Sequence, residues 1–188
     1  IVGKNGAGKS TFLNLMTGNL QADSGTIEHG QTLRIGYYRQ SGISFKPGQT
    51  VFDVVHDIAE TVEAADGHSV SATTMLNRFL FPPETLNKRV DILSGGEQRR
   101  LYLLTVLMRN PNLLILDEPT NDLDIDSLQT LENALADYDG AVLFVTHDRY
   151  LINRLATAVI AFDEDTTSFI RYEGDYDFYL LCKKKADD

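Results

Sequence analysis

Near the start of the chain, Gly3-Lys4-Asn5-Gly6-Ala7-Gly8-Lys9-Ser10 fits the pattern G-x-x-x-x-G-K-[ST]. Glycines at these spacings let the backbone curl until successive N–H groups face an anion. A helix that follows adds its positive N-terminal end. Lys9 can reach the β- and γ-phosphates of a nucleotide, and the Ser10 hydroxyl can ligate Mg²⁺. Gly3, Asn5, Gly6, Ala7, Gly8, Lys9, Ser10 and Thr11 are therefore the candidate phosphate contacts. The plainer alternative is a flexible Gly-rich turn with a solvated lysine. A strand before the motif and a helix after it argue against that alternative.

A second pattern, Leu113-Leu114-Ile115-Leu116-Asp117-Glu118, is four apolar residues ending in two carboxylates. A buried strand would deliver Asp117 and Glu118 at its C-terminal end, where open α/β sheets bind ligands. Asp117 suits a hard cation such as Mg²⁺. Glu118 is placed to polarise a water for attack on a γ-phosphate.

The third, Leu93-Ser94-Gly95-Gly96-Glu97-Gln98, opens a helix. Ser94 and Glu97 make a capping box, which does not require the paired glycines. Gly95 and Gly96 remove side chains and bare backbone N–H groups, which suits a second phosphate site.

Short apolar runs alternate with helical patterns, so the elements that hold these residues form an α/β fold with a mainly parallel sheet. Ile1 and Val2 read as the stump of a strand, followed by helix to about Thr17. Thr26–Glu28, Leu33–Tyr38, Leu113–Leu116, Ala141–Val145, Val159–Phe162 and Ser168–Tyr172 read as strands. Gly96–Arg109, Ile125–Tyr138, Arg149–Leu155 and Asp175–Leu181 read as helices. From about Ser41 to Ile92 the alternation stops, with helices expected over Thr50–Glu63 and Val70–Leu80 and no strong strand between them. With the helix after it, this gives a helical subdomain over 41–109 inserted in a single domain of 1–188.

The 188 residues suffice for one domain with a sizeable core. A formal charge of −10 argues against a broad electrostatic footprint for nucleic acid on this segment. The single cysteine, Cys182, excludes an internal disulfide and points to a cytoplasmic setting. No apolar run approaches the ~20 residues that span a bilayer. The chain opens without Met and in what reads as mid-strand, so a fragment incomplete at its N-terminus is expected.

In order along the chain, GKNGAGKS, Gln40, LSGGEQ, LLILDEPTNDLD and His147 resemble the ABC (ATP-binding cassette) ATPases. The resemblance covers essentially the whole chain and implies a P-loop NTPase core that binds ATP with Mg²⁺ and hydrolyses it. It implies that Ser10, Gln40 and Asp117 serve the metal. Lys9, Gln40, Glu118 and His147 would serve catalysis, with His147 contacting the γ-phosphate and positioning Glu118. Two such domains, in one chain or in two, form a head-to-tail sandwich in this family. Ser94, Gly95, Gly96 and Gln98 would then act on ATP held by the partner domain, and Asp124 would lie in the loop linking the two sites. The adenine-stacking aromatic of the family lies upstream of the phosphate loop.

Within the family, Glu118–Asp124, Thr146–Leu151 and Gly174–Tyr179 are similar to the ABC-F group, soluble proteins associated with ribosomes and translation. The stretch Arg78–Glu84 and the Asn-Asp form of the loop resemble the second domain of a Uup-like member. ABC-F proteins often carry His where this chain has Asp122. Two other settings fit the same motifs: an ATPase subunit of a membrane transporter, and a nucleotide-gated clamp with slow hydrolysis.

Overall fold

Four consecutive apolar side chains, Leu113–Leu116, leave a strand no face to give to water, and they run through the centre of a parallel sheet. The computed structural model describes residues 1–39, 44–58, 61–63, 69–121, 123–163 and 168–187. The elements run α1 (Lys9–Met16), β1 (Ile35–Tyr38), α2 (Val51–His56), β2 (Thr61–Glu63), β3 (Ser69–Ser71), α3 (Ala72–Arg78) and α4 (Gly95–Leu107). They continue with β4 (Leu113–Asp117), α5 (Ile125–Ala136), β5 (Ala141–Val145), α6 (Arg149–Leu155), β6 (Ala158–Asp163), β7 (Ser168–Glu173) and α7 (Tyr176–Asp187).

The sheet order is β1-β4-β5, all parallel, with Ile35 opposite Leu113 and Leu113 opposite Ala141. β6 and β7 form an antiparallel pair. Ile1 and Val2 sit between the two sheets: the Ile1 nitrogen donates to the Phe144 carbonyl at 2.6 Å, and Val2 bridges Ala161 in parallel. The expected strand stump thus occupies a central position.

The period of two along each strand sorts its side chains onto two faces. Ile115 and Val145 pack with Leu13 of α1 on one face. Leu114, Leu116 and Phe144 pack on the other, in the main core with Leu101 and Leu104 of α4, Leu131 of α5 and Ile152 of α6. Two layers of helix therefore cover the sheet, and α1 is the layer that carries the phosphate loop. Among the described residues no helix is long and apolar enough to cross a membrane.

The structure departs from the sequence reading in four places, one of them the last helix, which runs on to Asp187 rather than ending at Leu181. Thr26–Glu28 forms no strand; it is exposed, with Ile27 45% accessible, and has no ladder to join. The helix expected over Thr50–Glu63 stops at His56, and Thr61–Glu63 pairs antiparallel with Ser69–Ser71 instead. β-Branched Thr61 and Val62 favour a strand. The helix expected over Val70–Leu80 begins only at Ala72, where the Ser71 hydroxyl caps Thr74 N–H, and it ends before Leu80, whose φ is +61°. α2 and α3 still pack on each other, and α2 packs on α4.

Candidate active site

α1 begins at Lys9 with Gly8 as N-cap, and no side chain caps it. Its first N–H groups stay open to an anion at the positive end of the helix dipole. Gly6 and Gly8 hold φ of +87° and +92°, and a Cβ at either would meet nothing within 4 Å. The loop is therefore shaped by conformations that suit glycine rather than by crowding, and it has room beside it. Lys9 is 7% exposed, and its Nζ donates to the carbonyls of Gly3 and Lys4, each at 2.8 Å. An ammonium has three donors, so this bracing leaves capacity for a ligand.

Asp117, the last residue of β4, is buried, and its Oδ1 accepts from Ser10 Oγ at 3.3 Å. On the same side of the sheet Tyr37 faces Asp117. Burial, and then the Asp117 carboxylate, push the Tyr37 hydroxyl up to about 12. The chain turns at Glu118, whose φ is +49°. A non-glycine residue in that left-handed region costs on the order of 1–3 kcal/mol and is found mainly where the surroundings enforce it. Here Glu118 N–H donates to the Val145 carbonyl at 2.8 Å, which fixes the turn against β5.

Glu118 Oε1 lies 3.4 Å from His147 Nε2, while Oε2 is buried with no partner among the described residues. Burial raises the Glu118 pKa above the usual glutamate value; His147 and then Lys9 act the other way. His147 Nε2 is also 3.1 Å from Asn5 Oδ1, so it bridges the phosphate loop and Glu118. Thr120 and Thr146, hydroxyl to hydroxyl at 3.2 Å, tie together the segments that follow β4 and β5. The sequence reading did not single out Tyr37, Thr120 or Thr146 as parts of this site.

The Ser94 segment is built as expected. Ser94 Oγ accepts from Glu97 N–H at 3.2 Å, and the Glu97 carboxylate accepts from Ser94 N–H at 2.8 Å. Ser94 and Gly95 are exposed. Gln98 turns its amide back onto the carbonyls of Leu93 and Val90 at 3.1 and 3.3 Å. A Cβ at Gly96 would meet the carboxylate of Asp124, which would have to shift to admit a side chain here. Asp124 caps α5 by accepting from Ser127 N–H at 2.7 Å. The Ser127 hydroxyl, and then this backbone bond, hold its pKa below the usual range. Gln40 and Asp122 lie outside the described residues.

The donors at the first site suit a nucleotide with Mg²⁺. Ser10 and Asp117 offer hard oxygen, and among the described residues no three His, Cys, Asp or Glu side chains cluster to hold a metal unaided. An ion that takes one or two protein ligands and completes its shell from phosphates and water fits that supply. A separate cavity of about 800 Å³, lined by Arg34, Asn112 and Tyr138, lies at the N-terminal ends of the parallel strands, away from this chemistry.

A phosphate loop braced by its own lysine, with two carboxylates at the end of the neighbouring strand, defines a P-loop nucleotide-binding fold. The family model described as ABC transporter matches residues 1–121, and the chain belongs to that family as an ATPase domain of the ABC type. It is 46% identical over 180 residues to "Uncharacterized ABC transporter ATP-binding protein YfmR" of Bacillus subtilis (strain 168), covering 96% of this chain and 28% of that protein. To "Energy-dependent translational throttle protein EttA" of Haemophilus influenzae it is 38% identical over 187 residues, covering 99% of this chain and 33% of that protein. Its likeness is thus to members of the ABC-F group. A solved structure described as "RNase-L Inhibitor" shares the fold, with a TM-score of 0.71 at 24% identity, covering 93% of this chain and 34% of that one. The chain spans about a quarter to a third of the length of the curated relatives it matches.

Proposed function

We propose that this chain is the ATP-hydrolysing domain of an ABC-F type protein, cleaving ATP to ADP and phosphate. One observation carries the reading: Lys9, Ser10, Asp117, Glu118 and His147 converge at one end of the sheet, and Glu118 Oε2 stands buried there without a partner among the described residues. Lys9 and the α1 N-terminus take the phosphates, and Gly3, Asn5, Gly6, Ala7, Gly8 and Thr11 complete the cradle. Ser10 and Asp117, joined by Gln40, hold Mg²⁺. When bound, that ion would supply positive charge to offset that of the phosphates. Glu118 accepts a hydrogen bond from the attacking water and draws on its proton as the oxygen meets the γ-phosphorus. The bond from that phosphorus to the bridging oxygen breaks, and ADP carries the charge away. His147 holds Glu118 in place and meets the γ-phosphate.

Ser94, Gly95 and Gly96 face the nucleotide of a second ABC domain, in the same chain or in a partner. Gln98 belongs to the same in trans contact and also braces that segment through the Leu93 and Val90 carbonyls, and Asp124 links the two sites. The boundaries 1–188 for the domain and 41–109 for its mostly helical subdomain belong to the same reading, as do a cytoplasmic setting and a Uup-like second-domain position. Similarity to the translational throttle protein EttA supports a role at the ribosome, with hydrolysis driving a change of shape.

Binding of labelled ATP by the full-length native protein tests the phosphate site. Lys9→Ala should weaken affinity at least ~10-fold, the worth of one charge-assisted hydrogen bond. Unchanged affinity would remove Lys9 from the site.

A further inference from the structure

β4 and β5 run side by side as far as Asp117 opposite Val145, and their pairing ends there. The two segments that leave the sheet carry Glu118 on one and His147 on the other. One backbone bond, Glu118 N–H to the Val145 carbonyl at 2.8 Å, closes the ladder. Past it two threonines meet, Thr120 Oγ and Thr146 Oγ at 3.2 Å. The Thr146 hydroxyl also accepts from Asp148 N–H at 3.1 Å. Asp148 in turn caps α6, its Oδ1 accepting from the N–H groups of Tyr150 and Leu151 at 2.9 and 3.1 Å.

The His147 ring needs such support. Its side chain is 57% exposed, against 12% for Glu118. Its contacts, Glu118 Oε1 at 3.4 Å and Asn5 Oδ1 at 3.1 Å, are made at the surface, where polar pairs are weak. The placement of an exposed ring therefore depends on the backbone beneath it. That backbone is anchored on one side by Thr146, 2% exposed, and on the other by Asp148. A β-branched side chain is stiff at χ1, so a bond at Oγ constrains the main chain that carries it. With Asp148 N–H on one lone pair, the Thr146 hydroxyl keeps a proton and a second lone pair, and Thr120 takes one of them from across the gap. Valine has nearly the same shape and would fill this space with no hydroxyl to satisfy, so packing alone does not account for the pair.

We infer that Thr120 and Thr146 are positioning residues that form a hydroxyl latch, holding the segment of His147 against the segment of Glu118 and so setting the His147–Glu118 contact. The inference rests on the ATPase reading above, in which that contact keeps Glu118 in place for the attacking water. With the latch open, the backbone bond at Glu118 still holds, so the fold and the phosphate loop are kept. What is lost is the alignment of His147 beyond that bond. Nucleotide binding, carried by the loop around Lys9, is spared, and cleavage slows. Neither threonine touches a reacting atom.

The test uses the full-length native protein, with any second ABC site disabled throughout. The variants are Thr120→Val, Thr120→Ser and Thr146→Ser, and Thr120→Val combined with His147→Ala. Valine keeps the shape and loses the hydroxyl; serine keeps the hydroxyl. Each is measured for thermal unfolding, for ATP affinity without turnover, and for single-turnover cleavage. Thr120→Val should unfold and bind ATP close to wild type, and cleave it about 2- to 10-fold more slowly, the scale of one neutral hydrogen bond. Both serine variants should cleave at close to the wild-type rate. In the His147→Ala background Thr120→Val should slow cleavage no further, because the group it positions is gone. Wild-type cleavage by folded Thr120→Val, a loss that serine does not restore, or the same loss with His147 absent would overturn the inference. So would affinity that falls in step with cleavage. Should Thr120→Val fail to fold, Thr120→Ala decides by the same comparison with Thr120→Ser. Failure of the wild-type protein itself to bind and cleave ATP would overturn the ATPase reading, and the inference with it.

Discussion

Glu118 combines a left-handed backbone, a largely buried carboxylate and an oxygen without a partner among the described residues. Each is unfavourable for the folded chain, and a catalytic base is where such costs collect. The pH behaviour follows from the direction of its shift. Burial raises its pKa in the folded state above the usual 4.5, so the folded state holds this proton more tightly than the unfolded state does. The stabilising contribution is fully present below the usual glutamate range and is lost as pH rises through the raised value. At neutral pH the ionised side chain therefore weighs against the fold, and Glu118→Gln should raise the melting temperature. About 2–4 °C is the response of a domain this size to ~1 kcal/mol. Turnover needs the ionised form, so kcat should fall on acidification at a pH above the usual glutamate range. A melting temperature lowered by the substitution, or a flat pH profile through that range, would contradict this account of the residue.

At the scale of elements, α4 and α5 meet where Gly96 lies against Asp124. Asp124 is held by two bonds, so a methyl at Gly96 must displace the cap of α5. Gly96→Ala should cost about 0.5–2 kcal/mol, the worth of a helix cap, measured by denaturant unfolding. No loss of stability would mean that the cap yields freely and the close approach is incidental. This contact also marks a limit of the sequence. Local chemistry is legible: β5 over Ala141–Val145 and α6 over Arg149–Leu155 fall where an apolar run and the Asp148 cap place them. The phosphate loop, the two carboxylates at the end of β4 and the capping box of α4 are legible for the same reason, since each motif is contiguous. The Thr120–Thr146 pair is not, because its members stand 26 residues apart. Nor is the β2–β3 hairpin, where short segments of mixed propensity were decided by pairing rather than by periodicity. The left-handed turn at Glu118 has no local signal either: nothing in Asp-Glu-Pro asks for a positive φ, and the β5 carbonyl at Val145 enforces it.

For the whole molecule, charge and partner chemistry bear on each other. A chain at −10 offers no broad basic face, so binding to ribosomal RNA would draw its cations from elsewhere in the full-length protein. Full-length protein held in its ATP-bound state should co-sediment with ribosomes, and the complex should weaken steeply with salt. Co-purification with a membrane subunit, and no ribosome binding, would favour the transporter setting instead. The central claim, that Glu118 drives ATP cleavage at the Lys9 site, is tested most directly by single-turnover hydrolysis. Labelled ATP bound to the full-length native protein is followed to ADP and phosphate, with and without Glu118→Gln, while any second ABC site is disabled in both. The account predicts that wild type cleaves its bound ATP while the variant keeps it intact, with cleavage slowed ~10²–10⁴-fold. Cleavage by the variant at close to the wild-type rate would contradict it.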